Sequence, residues 1–496
     1  MKRALAALLL AAAALVQPQA KAADAERGRS LYDACAPCHR PSGMGNFEGG
    51  LAVPPITGPT LFRPFDRDTG RFFPAASRWR IRPAYDEAAL GRLLREGRTP
   101  DGVILPTTMP RFDWPDTALA DLGAYLRTLS SAPPAGLSAD TLRIATVSTP
   151  DADAARRDAM LATLRRFVER KNGQSRQEAQ RSAQATRTRE MATYRKFRVW
   201  RHEHWALHGE PSTWAAQLDA HQARAPVYAL VAGIGAAQWA PVDDFCARHR
   251  LPCLLPLVEA GGGPTPGFYS LHYHAGIDAD ARLAARALRQ AGVQRVQLWG
   301  HAPSLAGRVR SALEREGLAT VADGTDDAKG ANDVQAVVSL LAPPAHAARL
   351  RDAPLALPVA WLPGTHALGR AELDAVLPLT ARGWIVTPMR TGEALDRQLQ
   401  RATLWLRGNG LSALPADVAA STLQAATVLG EGLAHVDFGF SPEYLLELLE
   451  HGLENLVPWS PYPRLAIGPD QRIASKGSWL AELHDGRAEW RWMPQP

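Results

Sequence analysis

The chain has 496 residues and a formal net charge of +6, and 46% of its residues are hydrophobic. This length exceeds one ordinary domain, and an apolar content near half is typical of folded proteins, which excludes a chain that is disordered throughout. Basic and acidic residues are interspersed, and no basic stripe with interleaved aromatic side chains occurs, so the sequence predicts no nucleic-acid partner.

Residues 1–22 have the pattern of a secretory signal peptide. They begin with the basic pair Lys2 and Arg3, continue with an apolar run over residues 4–16, and end in small residues before a cleavage point after Ala22. The run is short for a membrane span, and no other apolar stretch of membrane length follows. We therefore predict a mature chain that is exported to the periplasm and has no membrane span.

The segment "DACAPCHR", residues 33–40, holds two of the four cysteines, directly before a histidine. C-x-x-C-H is the attachment signature of c-type haem, in which Cys35 and Cys38 become thioethers and His39 is the proximal iron ligand. A zinc site would need more cysteines or histidines at ligand spacing, and a redox dithiol would need a βαβ setting, whereas the flanking sequence predicts helix. The motif and the export signal together predict one covalently bound haem c.

Residues 23–131 are predicted to form one helical module. A helix leads into the haem motif, and residues 86–98 and 115–129 carry apolar residues at helical spacing, with Asp116 as the expected cap of the last helix. The following segment is rich in serine, proline and alanine, which predicts a linker over residues 132–140.

Met109 lies in the loop "DGVILPTTMPRF" between the second and third helices. A thioether is a suitable second axial ligand for haem iron, and His/Met ligation raises the reduction potential. A lone methionine is often core filler, but one between two threonines and a proline is poorly placed for an apolar core. Met44 is the competing ligand, although it lies only five residues after His39, too close to cross easily to the far haem face.

Residues 23–131 resemble a class I c-type cytochrome. The features that carry the resemblance are Gly28 and Tyr32 in the first helix, "CAPCH", "VPPITGP" at 53–59, "TMPRF" at 108–112, and Leu122 with Tyr125 in the last helix. The resemblance implies an all-α fold in which a proline-loop carbonyl, matched by Pro55, accepts a hydrogen bond from the proximal histidine. It also implies that the first and last helices cross with Gly28 against Tyr125. Arg40 stands where the family usually has glycine.

From residue 141 onward, strand-like and helix-like segments alternate. Strands are predicted over 141–149, 197–205, 226–234, 251–258, 293–301, 318–324, 333–341 and 357–364, and helices over 153–173, 212–224, 240–250, 278–292 and 304–317. The alternation predicts parallel α/β layers, and the length suits two lobes. Gly173 is expected to end the first of these helices, and Ser212 to cap the second.

Two of the cysteines, Cys246 and Cys253, lie seven residues apart, at the end of a predicted helix and the start of the next strand. In an oxidising compartment this placement predicts a disulfide. Free buried cysteines are the alternative, since geometry can forbid the bridge.

No catalytic or phosphate-binding signature occurs in residues 141–496. "GIGAAQ" at 233–238 lacks the third glycine of a dinucleotide fingerprint, and no G-x-S-x-G elbow is present. The pairs His202/His204 and His272/His274 each offer two imidazoles, but no third metal ligand is evident, which favours ordinary strand histidines. The sequence therefore favours a carrier over an enzyme.

Residues 141–496 resemble a type I periplasmic substrate-binding protein of the branched-chain amino-acid ABC transporter class, and more closely the variant encoded with pyrroloquinoline-quinone (PQQ)-dependent alcohol dehydrogenase systems. The segments that carry this resemblance are "TWAAQLDAHQARAPVYALVAGIG", "WAPVDDFCARHRLPCLLP", "FYSLHYHAGIDADARLAARAL" and "YPRLAIGPDQRIASKGSWL". It implies two lobes that close on a small-molecule ligand. The amino-acid binders place a hydroxyl residue after the strand at 227–232, but this chain has "GIGAA", so we expect a different ligand.

Two functions remain open at this point. One is a periplasmic single-electron carrier that serves a redox partner, such as a quinoprotein dehydrogenase or a terminal oxidase. The other is an ABC-type solute-binding protein or ligand sensor whose haem reports redox state. A peroxidase would need an open sixth iron position, which Met109 disfavours. The basic segment 169–196 is either a solvated helical arm, which we favour, or a docking surface for an acidic redox partner.

Overall fold

The computed structural model forms two compact units, Met1–Ala132 and Pro133–Pro496. The structure describes residues 22–48, 51–65, 81–129, 134–184, 198–262, 266–300, 303–322, 333–352, 356–436 and 440–494. Residues 1–21 of the predicted signal peptide and residues 185–196 of the basic segment lie outside the described residues. Among the described residues, none of the helices combines the length and the hydropathy that a membrane crossing needs.

The first unit is built from short helices. In chain order its elements are α1 (Ala25–Tyr32), α2 (Ala36–His39), the antiparallel strands β1 (Asn46–Glu48) and β2 (Leu51–Val53), α3 (Gly58–Leu61), α4 (Glu87–Glu96) and α5 (Asp116–Thr128). Asp24 and Asp86 cap α1 and α4 by accepting hydrogen bonds from first-turn amides. The predicted cap Asp116 is instead the first residue of α5, and its carboxylate accepts a hydrogen bond from Arg95 at 2.6 Å.

Helices α1 and α5 cross at Gly28, as the resemblance to c-type cytochromes implies. A Cβ at Gly28 would lie 2.0 Å from the Asp121 carbonyl oxygen and 2.9 Å from the Tyr125 Cβ, so only glycine permits this approach. Arg27 fastens the crossing, because its Nε and Nη2 donate to the two Asp121 carboxylate oxygens at 2.7 and 2.9 Å. The Tyr32 and Tyr125 rings pack beside it with centroids 5.2 Å apart.

The second unit contains two mainly parallel sheets. The strands of the first sheet are β3 (Thr141–Ser148), β4 (Val199–Ala206), β5 (Ala229–Val231), β6 (Ile234–Gly235), β7 (Cys253–Leu254), β8 (Leu257–Val258) and β9 (Ser270–Leu271), and all their pairings are parallel. Strands β5 and β6 follow each other along β3, and β7 and β8 follow each other beside them. Each pair therefore acts as one interrupted strand.

The second sheet has the order β11-β10-β12-β13-β14-β15-β16. Its strands are β10 (Arg295–Trp299), β11 (Ala319–Ala322), β12 (Ala336–Ser339), β13 (Val359–Trp361), β14 (Arg382–Thr387), β15 (Gly477–His484) and β16 (Arg487–Pro494). The first five of these are parallel, and β15 and β16 form an antiparallel hairpin that completes the edge.

Helices cover both faces of these sheets. They are α6 (Ala154–Gln184), α7 (Trp214–Arg224), α8 (Ala240–His249), α9 (Ile277–Gln290), α10 (Pro303–Arg315), α11 (Pro343–Asp352), α12 (Arg370–Val376), α13 (Gly392–Gly408), α14 (Ala416–Ala434) and α15 (Pro442–Gly452), with single 3₁₀ turns at Pro211–Thr213, Leu377–Leu379 and Leu453–Asn455. On β3, Ile144 packs in one core cluster and Val147 in another, so both faces of the strand are buried.

In the second unit, the predicted helix stop at Gly173 and the predicted helix cap at Ser212 both differ from the structure. Helix α6 continues through Gly173 to Gln184, because a single glycine costs only about 1 kcal/mol inside a run of good helix formers. Ser212 lies inside a 3₁₀ turn that precedes α7, and this helix begins at Trp214 without a side-chain cap.

Candidate functional site

The haem motif forms one helical turn in the first unit. Cys35 precedes α2, and the His39 amide closes the turn by donating to the Cys35 carbonyl at 2.8 Å. The His39 side chain is buried, Cys35 is half-buried and Cys38 is exposed, and neither cysteine forms a disulfide. The fold therefore brings both thiols and the imidazole to the same short helix.

A proline carbonyl orients the His39 ring. The resemblance to c-type cytochromes implies Pro55, whereas in the structure the carbonyl belongs to Pro54. The imidazole Nδ1–H donates to the Pro54 oxygen at 2.8 Å. The Pro55 carbonyl lies within reach of the Thr60 hydroxyl, which donates to it at 3.3 Å. Gly45 allows this loop to approach, since a Cβ there (φ 77) would lie 2.2 Å from the Val53 carbonyl oxygen.

The electrostatics at the motif do not suit a reactive redox dithiol. Burial lowers the pKa of His39 despite the opposing effect of its Pro54 hydrogen bond, so the ring is neutral and Nε2 keeps its lone pair. Burial, together with the neighbouring Cys38, raises the pKa of Cys35 to about 11. A reactive redox dithiol needs a lowered thiol pKa, which makes that alternative less suitable.

Met109 lies in a turn beside the same core. Its side chain is half-buried and packs against the apolar cluster of the first unit. Arg111 secures this turn, because its guanidinium donates to the carbonyls of Met109 and Leu105. Gly97 makes room for it, since a Cβ there would lie 2.0 Å from Arg111 Nη2. The competitor Met44 is buried in the turn after His39.

This donor set fits a c-type haem. Two unbridged thiols, a neutral imidazole oriented through Nδ1, and a thioether on the adjoining apolar core are the groups that such a cofactor needs. The bound haem would supply a one-electron iron couple. Sequence reasoning missed Arg111, although it lies within the quoted "TMPRF", because its role depends on two carbonyls that only the folded loop brings together.

The four histidines of the pairs His202/His204 and His272/His274 all have protein partners. His202 Nε2 lies 3.0 Å from the Thr146 hydroxyl, and His204 Nε2 lies 2.8 Å from the Ser148 hydroxyl. His272 donates to the Asp243 carboxylate at 3.0 Å, and His274 Nδ1 accepts from a backbone amide. In the part of the chain that the structure describes, no group of three or more potential metal ligands occurs.

A disulfide joins Cys246 and Cys253 in the second unit. Their Cα atoms are 6.3 Å apart, and both side chains are buried between α8 and β7.

The second unit also contains a cleft of about 350 Å³. Segments that follow β3, β6, β8, β10, β12 and β13 line it, so the carboxyl ends of strands from both sheets meet there. Parallel α/β proteins bind ligands at this end of their sheets. The lining combines leucine side chains with the polar residues Asp151, Asp153, Arg156, Glu259 and Thr365.

The polar groups of the cleft are bonded to one another. Glu259 accepts hydrogen bonds from the amide and the hydroxyl of Thr365. Arg156 pairs with Asp417 at 2.9 Å and donates to the Thr365 carbonyl at 2.8 Å. Burial lowers the pKa of His366 beside them, with the Arg156 charge acting in the same direction, so this imidazole is neutral.

Comparison with known proteins agrees with the two-unit description. The cytochrome c family model matches residues 25–130. The first unit is therefore a cytochrome c domain, a class of domain that carries covalently bound haem. No curated protein matches the chain in sequence.

Several solved structures are similar to the second unit. A branched-chain amino acid ABC transporter from Thermus thermophilus with bound valine has a TM-score of 0.48 and 11% identity, covering 72% of this chain and 97% of its own. The substrate-binding protein LivJ from Streptococcus pneumoniae with isoleucine has a TM-score of 0.47 and 10% identity, covering 72% and 100%. The leucine-binding protein LivK from Thermotoga maritima has a TM-score of 0.44 and 12% identity, covering 72% and 99%.

Proposed function

We propose that the chain is a periplasmic single-electron carrier with one haem c, bound through Cys35 and Cys38 and ligated by His39 and Met109. The observation that carries the proposal is the buried His39 ring of the cytochrome c domain, whose Nδ1 is held by the Pro54 carbonyl at 2.8 Å, which leaves Nε2 as the nitrogen available to a metal. Met109 on the adjoining core supplies the second donor. Iron with both axial positions filled favours electron transfer over oxygen chemistry.

The test is a visible spectrum of the mature protein in both redox states, with Met109→Ala and a matched Met44→Leu variant. We expect Met109→Ala to lose the sulfur-to-iron charge-transfer band of the oxidised protein and to lower the reduction potential, because His/Met ligation raises it. Met44→Leu should keep both properties. If the band persists in Met109→Ala but disappears in Met44→Leu, the axial ligand is Met44 and not Met109.

We infer that residues 1–22 direct export and are removed after Ala22. The disulfide between Cys246 and Cys253 supports an oxidising compartment, where such bonds persist. Mass spectrometry of the mature protein checks this, since the expected chain begins at Ala23 and carries one haem. A chain that retains its first residues would refute the cleavage.

We further propose that the second unit binds a small organic ligand that is not a branched-chain amino acid. The cleft at the carboxyl ends of both sheets supports binding. The glycine and alanine residues at 233–237 leave no hydroxyl side chain for an amino-acid carboxylate. Isothermal titration with leucine, isoleucine and valine tests the claim, and micromolar binding of any of them would overturn it.

The proposed redox partner is a PQQ-dependent dehydrogenase. Its support is the sequence resemblance of residues 141–496 and the fusion itself. Tethering through residues 132–140 raises the effective concentration of the haem near whatever the second unit binds, to about millimolar. The second candidate is a ligand sensor with a redox-reporting haem, favoured by the same fusion if ligand binding and redox state prove to be coupled.

A further inference from the structure

The Asp151 carboxylate is bound by two successive backbone amides at the cleft. It follows β3, and its carboxylate accepts hydrogen bonds from the amides of Ala236 at 3.2 Å and Ala237 at 2.9 Å. The Thr149 hydroxyl donates to the same carboxylate at 2.5 Å. Successive amides that converge on one carboxylate are an anion-binding arrangement, and here the anion is part of the chain.

The glycine-rich loop is shaped for this internal contact. A Cβ at Gly235 would lie 2.5 Å from Thr149 Oγ1, so a larger residue would displace the threonine that bonds Asp151. The loop has no hydroxyl side chain of its own, and the Thr149 hydroxyl reaches it from the turn after β3. A ligand carboxylate would find these donors already taken.

The charges of the cleft also disfavour a ligand that carries a carboxylate. Its lining contains the carboxylates Asp151, Asp153 and Glu259 but the single guanidinium of Arg156, which Asp417 already neutralises. A further carboxylate would meet like charges and would find the Ala236 and Ala237 amides already occupied, which is unfavourable. Because Asp151 is exposed, its exclusion of carboxylates depends on the occupied amides more than on charge alone.

Apart from Thr365 and His366, most of the remaining lining is apolar. It is contributed by Leu257, Ile277, Leu305, Leu340 and Leu362, from both sheets. A volume of about 350 Å³ is at the small end of the range for ligand sites. This combination suits a compact hydrocarbon body whose polar head donates hydrogen bonds to carboxylates.

We propose that Asp151 stands in for a ligand carboxylate and that the cleft binds a small organic amine without a carboxylate. This inference depends on the proposed ligand-binding role of the second unit. It specifies the chemical class of the ligand, which that role leaves open.

The test uses three probes with one carbon skeleton: 3-methylbutan-1-amine, 3-methylbutan-1-ol and 3-methylbutanoate. Isothermal titration of the full-length holoprotein should give at least tenfold tighter binding of the amine than of the acid. In Asp151→Gly the freed amides should accept the acid, so that the order of the amine and the acid reverses. Asp470→Gly, which removes an exposed aspartate outside the cleft, should leave all three affinities unchanged.

Each result bears on a separate claim. Equal affinity of the unaltered protein for acid and amine, or tighter binding of the alcohol than of the amine, would overturn the inference while leaving ligand binding intact. No binding of any probe, by the unaltered protein or by Asp151→Gly, would reject the ligand-binding role and the inference together. If circular dichroism shows that Asp151→Gly is unfolded, Asp151→Asn replaces it. The asparagine variant should bind the amine no more tightly than the acid.

Discussion

Arg40 holds a backbone conformation that normally requires glycine, with φ 66 and ψ 158. Its carbonyl is fixed by the Tyr32 hydroxyl, which donates to it at 2.6 Å, and by the Gly43 amide at 3.0 Å. We expect Arg40→Gly to raise the free energy of unfolding by about 1 kcal/mol, because relief of such strain exceeds the entropy that glycine adds to the unfolded chain. Urea denaturation of the holoprotein, followed by haem absorbance, measures it.

The control is Arg29→Gly in the helical part of α1. There glycine relieves no strain and should lower the free energy of unfolding by about 1 kcal/mol. If Arg40→Gly lowers stability by a similar amount, contacts of the Arg40 side chain outweigh the strain in its backbone.

At the scale of single residues, the haem motif could be recognised from the sequence, whereas loop geometry could not. C-x-x-C-H identifies Cys35, Cys38 and His39 because the chemistry fixes their spacing. The carbonyl that orients His39 belongs to Pro54, one residue from the predicted position, since either proline of "VPPI" satisfies the same pattern. Asp151 carried no sequence signal, because its partners lie 85 and 86 residues away.

The crossing of α1 and α5 depends on Gly28. We expect Gly28→Ala to lower the free energy of unfolding by about 1–3 kcal/mol, because the added methyl group would overlap the Asp121 carbonyl of the facing helix. Thermal unfolding of the holoprotein measures the effect. Gly123→Ala is the control within α5: its Cβ would meet only the Leu90 side chain at 3.6 Å, and it should raise stability by up to about 1 kcal/mol. Equal responses of the two variants would argue against a tight crossing.

The disulfide between Cys246 and Cys253 links α8 covalently to β7. Its short loop should stabilise the second unit by about 2.5 kcal/mol on the chain-entropy model. We expect a Cys246→Ala/Cys253→Ala variant to lose this amount in urea denaturation, and reduction of the unaltered protein to lower its stability similarly. Thiol counting on the unfolded, unreduced protein gives an independent check. Two reactive thiols there would contradict the bridge.

At the scale of elements, the alternation of strands and helices was predictable, but its interruptions were not. The strand predicted over 226–234 breaks between β5 and β6 because Ala232 and Gly233 have positive φ (55 and 133), which ends the regular ladder. The strand predicted over 251–258 breaks similarly at Leu255, with φ 54. The sequence prediction omitted the hairpin of β15 and β16, although its two-residue turn at Asp485 and Gly486, with positive φ at both residues (48 and 74), is a local hairpin signal.

The molecule as a whole joins a cytochrome c domain to an α/β unit that contains a cleft, and the two proposed roles differ in whether haem redox state and ligand binding are coupled. A sensor requires that ligand affinity and haem potential change together, since coupling between two sites is reciprocal. A carrier requires only fast electron exchange with its partner. A tenfold difference in ligand affinity between oxidised and reduced protein would shift a one-electron potential by about 59 mV.

We expect the carrier behaviour. Stopped-flow mixing with a reduced PQQ-dependent alcohol dehydrogenase should reduce the haem faster than a small reductant of similar potential does, because a protein partner can dock and the reductant cannot. Saturating 3-methylbutan-1-amine should leave the potential of the holoprotein unchanged in a spectroelectrochemical titration, and Asp151→Gly with the same amine is the matched control. Two results together would identify a sensor instead. The dehydrogenase would reduce the haem no faster than the small reductant does, and the amine would shift the potential by about 59 mV in the unaltered protein but not in Asp151→Gly. Redox state and ligand binding would then belong to one coupled equilibrium.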